Sequence, residues 1–565
     1  MRTRVERVFF KGSFREQKSA VWVLGGILLL ALALRLCPLA DLTRGSMACG
    51  EGRIMADASR PISQIMDQIP VDDGPLKYYL LHAVLYFGRS EFLLKLPALF
   101  FDITSILMLF CLGRLLFGRK AALLASFLMA VSMWHIHHVT MARNYPLYTF
   151  SVLASTLFLY RATQRTRIRD WLFFGMATAL EYYSFYPGLF ILAAQLCWLL
   201  ICYGRRADLI KRLLLSLGIF FALSAPLIAR LPQAFELKAY WGNGHWGLEG
   251  YQIWEALRDH FGGIAGSYPW GIFVFMISFV GVFHFQKKRR EALLLLTLIL
   301  VPICFYVFCI HALHINVLPR YFLHTYPFFL LMAAAGIVSW SHRAWKLAGI
   351  FVFMLPLCLY GFYQAGLIKR DHIPYDYLRH GENLATIASF IEQNQGSFDY
   401  VVMDPWMSIF CVQYYLDRDN KSPIVIAKDL KVRGRRYQVF ANPKITIYGI
   451  SGDLSFLKKL AATGRLLVID SLGLIKTKLY SSSDVIFPWL QANAYRIEHD
   501  HFQEPPPAYE PEHPADFYFI SPSPVDGGTD EAALKAARQG FPGKFEVKKR
   551  LVYPFNRKEW ALREY

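Results

Sequence analysis

Apolar positions come in long runs as far as about residue 366, and in short ones after it. The first run, VWVLGGILLLALALRL, follows a basic stretch, MRTRVERVFFKGSFREQKSA, and reads as an uncleaved signal anchor with the N-terminus in the cytoplasm. Runs able to cross about 30 Å of hydrocarbon recur with centres near Leu29, Ile106, Phe127, Leu153, Ala177, Ala194, Leu217, Ile277, Ile299, Leu331 and Phe353. Threading these eleven or so spans alternately puts the basic connections around Arg114, Arg167, Arg205, Lys288 and Arg343 inside. The less basic ones around Glu51, Asn144, Tyr186, Trp241 and His314 then all fall outside. The segment Leu76 to Phe87 is apolar but short, and counting it as a span would reverse every later loop. It is expected to lie in the outer interface, anchored by Lys77 and its tyrosines.

An odd number of spans delivers the chain beyond about residue 367 to the outside. There NLATIASFIEQN has helical periodicity, and DYVVMD, PIVIA, KITIYG and RLLVID are short β-branched runs. The pattern predicts a polytopic α-helical membrane protein with about eleven transmembrane helices and a soluble, extracytoplasmic α/β domain at its C-terminus. Its parts are a cytoplasmic N-terminus (1–19), a transmembrane domain (20–366) with its first outer loop at 39–93, and the α/β domain (367–565).

Composition agrees with that class. The 565 residues are 55% hydrophobic and only 18% charged, too apolar for a soluble enzyme of this size. The net charge of +19 sits in short runs between apolar segments, such as Lys287 to Arg290, which is the signature of cytoplasmic loops and not of a nucleic-acid surface. The nine cysteines form no CxxC pair, and most fall in apolar runs, so no structural metal is expected from them.

One stretch departs from the basic, apolar background. Glu51 to Tyr79 carries Glu51, Asp57, Asp67, Asp72 and Asp73, and a carboxylate-dense loop pinned against a bilayer is where chemistry is expected. Asp72 and Asp73 precede Gly74 and Pro75, so ordinary turn chemistry accounts for them equally well. Arg143 and Arg320 fall on the outer side, against the positive-inside bias, where a guanidinium fork suits a phosphate; Lys95 is a third cation there. His135, His137 and His138 in WHIHH fit interfacial polar residues better than a metal site. Glu181 lies within a span and needs a partner or a polar cavity. Aromatic residues between Pro232 and Trp270 read first as an interfacial belt.

The segments CGEGRI, DDGPLKYYLLH, FLLKLP, GRLLFGRKAALLAS, HHVTMARNYPLY and LPRYFLHTYPFFLL, in this order and on consistent sides, resemble the GT-C glycosyltransferases. The resemblance is to the branch of protein O-mannosyltransferases and lipid A aminoarabinose transferases, the family 39-like enzymes. It covers about residues 20 to 366 and fades beyond. Gly50 stands where the family has the Asp of an Asp-Glu pair, Asp73 stands near its His, and Lys95 replaces its Arg before Leu-Pro.

The resemblance implies a GT-C fold and a hexosyl or pentosyl transferase. Its donor would be a polyprenyl-phosphate sugar and its acceptor a lipid, glycan or protein, met on the outer face of the inner membrane with inversion. It implies Glu51 as the catalytic carboxylate, with Asp73 and Asp72 behind it. Arg143, Arg320 and Lys95 would bind the donor phosphate, and Tyr78, Tyr145 and Tyr321 the substrates. It associates the acidic pair, of which only Glu51 remains, with acceptor activation and with either a divalent cation, Mg or Mn, or the donor phosphate. Two other readings stay open: a lipid or glycan transporter, although no inverted repeat is visible, and a non-catalytic scaffold with a decayed site, which Gly50 favours.

Overall fold

The computed structural model describes residues 14–41, 49–69, 73–139, 141–165, 167–204, 206–233, 288–313 and 319–339 of the helical part. It further describes residues 384–394, 396, 398–404 and 408–417, and the helices and strands named below between 428 and 548. The chain divides into two compact units, residues 1–44 with 60–375, and residues 45–59 with 376–565.

In the first unit, helix α1 (Phe14–Asp41) is the anchor. Helix α2 (Cys49–Ala58), which the sequence places in the first outer loop, falls in the second unit. Helices α3 (Ile62–Gln68) and α4 (Leu76–Leu85) are short. At about 1.5 Å per residue, the ten residues of α4 cannot cross a bilayer. Next come α5 (Glu91–Leu116), α6 (Arg119–Ala130), α7 (Met133–Val139), α8 (Tyr145–Arg165), α9 (Ile168–Ser184), α10 (Gly188–Tyr203) and α11 (Ala207–Ile228). Helix α12 (Arg289–Leu313), a 3-10 turn (Pro319–Thr325) and α13 (Tyr326–Ser339) complete the unit.

Four helices among the described residues are long and apolar enough to cross a membrane: Ser19–Leu36 within α1, α5, α11, and Arg289–Cys309 within α12. Helices α10 and Leu323–Ser339 are apolar but shorter. Of the span centres read from sequence, those near Ile277 and Phe353 lie outside the described residues, and the others fall on helices. The span centred on Phe127 is broken, because α6 ends at Ala130 and α7 begins only at Met133.

These helices form one apolar core. Helix α8 packs between α5 and α9, α9 also lies on α11, α10 on α12, and α13 against α6. Trp171, Trp198, Tyr148, Tyr182 and Tyr326 are among its largest fully buried aromatic groups. The tight link between α5 and α6 passes through Gly118, whose φ of 94° is open to glycine and strained for other residues.

In the second unit α14 (Leu384–Gln393), α15 (Ser408–Asp417) and α16 (Leu454–Thr463) accompany an eight-stranded sheet, and α2 packs on α15. Its strands are β1 (Tyr400–Asp404), β2 (Lys428–Val432), β3 (Arg435–Asn442), β4 (Ile445–Gly449), β5 (Leu466–Asp470), β6 (Tyr495–His499), β7 (Asp516–Ile520) and β8 (Phe545–Lys548), in the order β2-β3-β4-β1-β5-β7-β6-β8. Strand β1 pairs in parallel with β4 and β5, Val402 lying opposite Tyr448 and Val468. Parallel strands covered on both faces read as unbroken apolar runs, and Val401 to Met403 and Leu466 to Ile469 are all buried. The runs DYVVMD, KITIYG and RLLVID lie on β1, β4 and β5, whereas PIVIA lies outside the described residues.

Candidate active site

Two loops of the first unit converge on the end of α9. Gly74 sits so close to it that a Cβ there would lie 2.4 Å from the Ser184 carbonyl oxygen and 2.7 Å from that of Tyr183. The Asn144 side chain donates to the same Ser184 carbonyl at 2.8 Å. One backbone group thus fixes both the Asp73 loop and the Arg143 loop, which lie 70 residues apart in sequence. Gly74→Ala is expected to cost about 1–3 kcal/mol, since backbone cannot move aside as a side chain can. Thermal unfolding of the purified protein measures it.

Asp73 precedes α4, where the positive end of the helix dipole favours a carboxylate. Its Oδ2 accepts from Lys77 Nζ at 2.5 Å and from Tyr78 Oη at 2.8 Å. Lys77, expected as a headgroup anchor, is instead buried against Asp73. The i, i+4 spacing brings the two charges onto one side of the first helical turn. Burial alone would raise the Asp73 pKa. The Lys77 ammonium, the hydrogen bonds from Lys77 and Tyr78, and the nearby Arg143 guanidinium outweigh it and hold the carboxyl below its usual 3.8. A depressed carboxyl pKa stabilises the fold at pH values above the unfolded one, and that contribution disappears as pH falls through the folded value. Wild type is therefore expected to lose stability more steeply than Asp73→Asn as pH falls below the ordinary carboxylate value of 3.8, as read by thermal unfolding at successively lower pH.

Arg143 is half-buried, and its side chain makes no hydrogen bond or ion pair among the described residues. With Asp73 neutralised by Lys77, the described residues of the corner hold one cation in excess, which is the electrostatics of an anion site. Below it lies a set of rings. Tyr145 meets His138 edge-on at 5.2 Å, and Phe185 meets both Tyr148 and Tyr321 at 5.3 Å. The Tyr321 carbonyl accepts from Tyr306 Oη at 3.1 Å and from His324 Nδ1 at 2.9 Å. Arg230 donates to the carbonyls of Met66 and Ile69, tying α3 to the end of α11.

The other residues expected at the site are placed as follows. Lys95 is buried and pairs with Glu91, one turn earlier in α5, at 3.6 Å. Glu51 is buried in the first turn of α2, in the second unit. Asp72 and the Arg320 side chain lie outside the described residues. Of the histidines, His135 donates from Nδ1 to Asp102 at 3.0 Å and stacks on Tyr326, while the His137 side chain lies outside the described residues. Asp102 also receives Arg35 at 2.5 Å, a buried network that the sequence reading missed. Asn144 and Ser184 were missed too, having no motif to mark them.

Comparison with known proteins points the same way. Residues 72–229, α4 through α11, match the family described as dolichyl-phosphate-mannose-protein mannosyltransferase. That stretch holds Asp73, Lys77, Lys95 and Arg143. No curated protein sequence matches the chain. Among solved structures, the fold is similar to that of ArnT from Cupriavidus metallidurans bound to undecaprenyl phosphate, at 12% identity and a TM-score of 0.52, covering 90% of this chain and 99% of that one. It is also similar to the oligosaccharyltransferase AglB from Archaeoglobus fulgidus in complex with an inhibitory peptide and a dolichol-phosphate, at 11% identity and a TM-score of 0.52, covering 92% of this chain and 76% of that one. A further Archaeoglobus fulgidus oligosaccharyltransferase structure, at 13% identity and a TM-score of 0.52, is a complex with Zn and sulfate and covers 85% of this chain and 72% of that one. The fold is that of the GT-C glycosyltransferases, and the resemblance read from the motifs is borne out.

Proposed function

We propose that the protein is a membrane glycosyltransferase that moves a sugar from a polyprenyl phosphate to a lipid, glycan or protein acceptor at the outer face of the inner membrane, with inversion. The observation that carries this reading is Arg143, a half-buried guanidinium that forms no ion pair among the described residues, beside a carboxylate already neutralised by Lys77. Such a corner suits the phosphate of a lipid-linked donor. The lipid phosphates bound by the two structural relatives support the same donor class.

In transfer, the anomeric C–O bond breaks and its electron pair leaves on the phosphate oxygen. An acceptor oxygen forms the new bond from the opposite side of the sugar. Arg143 would stabilise the charge gathering on the phosphate. The acceptor's proton would go to a carboxylate, and Asp73 is ill suited because two donors and a depressed pKa make it a weak base. Glu51, which the family resemblance marks as the catalytic carboxylate, is proposed as the proton acceptor. Lys95, already balanced by Glu91, would assist the donor phosphate less than Arg143 does. The proposed topology has about eleven spans, a cytoplasmic N-terminus and an extracytoplasmic α/β domain, supported by the sidedness of the basic loops.

The described donor set does not fit a divalent cation. Asp73 Oδ2 is taken by an ammonium and a phenol, and no group of three metal-ligating side chains occurs among the described residues. Protein cations carry the charge in the chemistry proposed.

Gly50, in place of the family's Asp, favours a second reading, a scaffold with a decayed site. Release of labelled sugar from polyprenyl-phosphate donors by Glu51→Gln and Asp73→Asn proteins in proteoliposomes decides between them. Transfer by wild type that falls by about a hundredfold or more in Glu51→Gln supports the transferase with Glu51 as base. Equal rates in wild type and both variants would remove both carboxylates from the reaction.

A further inference from the structure

One turn of α9 below Ser184 lies a second polar cluster, deep among α8, α9 and α10. Glu181 is fully buried and forms no ion pair among the described residues. Its Oε2 accepts from Ser155 Oγ at 2.7 Å, and Ser155 in turn accepts from Gln195 Nε2 at 2.9 Å. Two buried polar atoms of this cluster, Glu181 Oε1 and Gln195 Oε1, have no hydrogen-bond partner among the described residues, nor has Tyr148 Oη, whose side chain is close enough to Glu181 to interact with it electrostatically. A carboxylate buried in a membrane protein without a cation gives up its charge by taking a proton. Glu181 is then an acid whose O–H donates, Gln195 Oε1 accepts, and Tyr148 Oη does either.

That set of uncharged donors and acceptors matches a polyol and not a phosphate or an ion. The Tyr148 ring stands edge-on to Phe185, an apolar wall of the kind that covers the C–H face of a sugar ring. Glu181 lies one turn of α9 before Ser184, whose carbonyl fixes the Arg143 loop. We infer that Glu181, held as the neutral acid, forms with Gln195 and Tyr148 the site that binds a hydroxyl of the donor sugar. Arg143 would then read the lipid phosphate and Glu181 the sugar. The inference rests on the donor class proposed above.

Binding is compared in nanodiscs for undecaprenyl phosphate and for the same lipid carrying mannose, glucose or galactose. Wild type is expected to prefer at least one sugar-bearing lipid over the bare one. Arg143→Ala weakens both lipids, the bare monoester more than the singly charged sugar-bearing diester. Glu181→Leu lowers the preference for the sugar about tenfold, the order of one or two neutral hydrogen bonds. Tyr148→Phe, which removes one oxygen and leaves the ring in place, lowers it severalfold. Glu181→Gln keeps a neutral head of the same shape and recovers at least half of the preference. A sugar preference untouched by Glu181→Leu and Tyr148→Phe, with Arg143 still required for both lipids, overturns this inference alone. Loss of the preference in Glu181→Gln as complete as in Glu181→Leu overturns the neutral acid. No preference for any sugar in wild type overturns the site. Binding that ignores Arg143 for both lipids sinks the donor class and this inference with it.

Discussion

Arg143→Ala is expected to lower sugar transfer by about a hundredfold to a thousandfold, the usual effect of removing one preorganised donor from a developing oxyanion. The loss should fall mainly on kcat, because charge on the departing phosphate exceeds that on the bound donor. Arg143→Lys restores the charge but not the planar fork, and should recover only part of the rate. The thermal unfolding temperature should hardly move, since the Arg143 side chain makes no hydrogen bond or ion pair among the described residues. Initial rates in proteoliposomes and unfolding curves of the same preparations check both halves. A variant with unchanged rate would remove Arg143 from the site.

The largest effect on stability is expected at Arg35. Its guanidinium is fully buried and donates to Asp102, to the Ala31 and Ala130 carbonyls and to that of Met129, pinning α1 to α5 and to the end of α6. Arg35→Met leaves the Asp102 carboxylate buried with only His135 to answer it among the described residues, and removal of one partner from a buried pair costs about 3–5 kcal/mol. The double replacement Arg35→Met with Asp102→Leu removes the stranded charge as well and should recover most of that loss. Thermal unfolding of the single and double variants in one detergent measures the difference. A double variant no more stable than Arg35→Met would mean that the pair itself holds α1 in place.

The helical part was legible because burial in lipid demands apolar runs. The centres near Leu29, Ile106, Leu217 and Ile299 fall within the four helices long and apolar enough to span. The break after Ala130 was not legible, since Val131 and Ser132 interrupt the helix without interrupting the apolar pattern. Asp73 and Arg143 were visible separately as charges on the outer side. What brings them together is the Ser184 carbonyl, and no side-chain pattern announces a backbone acceptor. The Lys77 contact could have been found from its i, i+4 distance to Asp73, and the Arg35 to Asp102 pair from two opposite charges in adjacent apolar runs. In the sheet, buried parallel strands such as β5 stand out as apolar runs. The β2 and β3 hairpin is rich in lysine and arginine and offers no such apolar run.

The central claim is that this fold carries a working transfer site for lipid-linked sugars. Its most direct test is the release of radiolabelled sugar from polyprenyl-phosphate mannose, glucose and galactose by full-length protein in proteoliposomes, supplied with a cell-envelope extract as acceptor. Wild type should move label from at least one donor onto an acceptor in the extract, and Arg143→Ala should leave that donor intact. No transfer from any of the donors by well-folded wild-type protein, or transfer that Arg143→Ala does not diminish, would contradict the account.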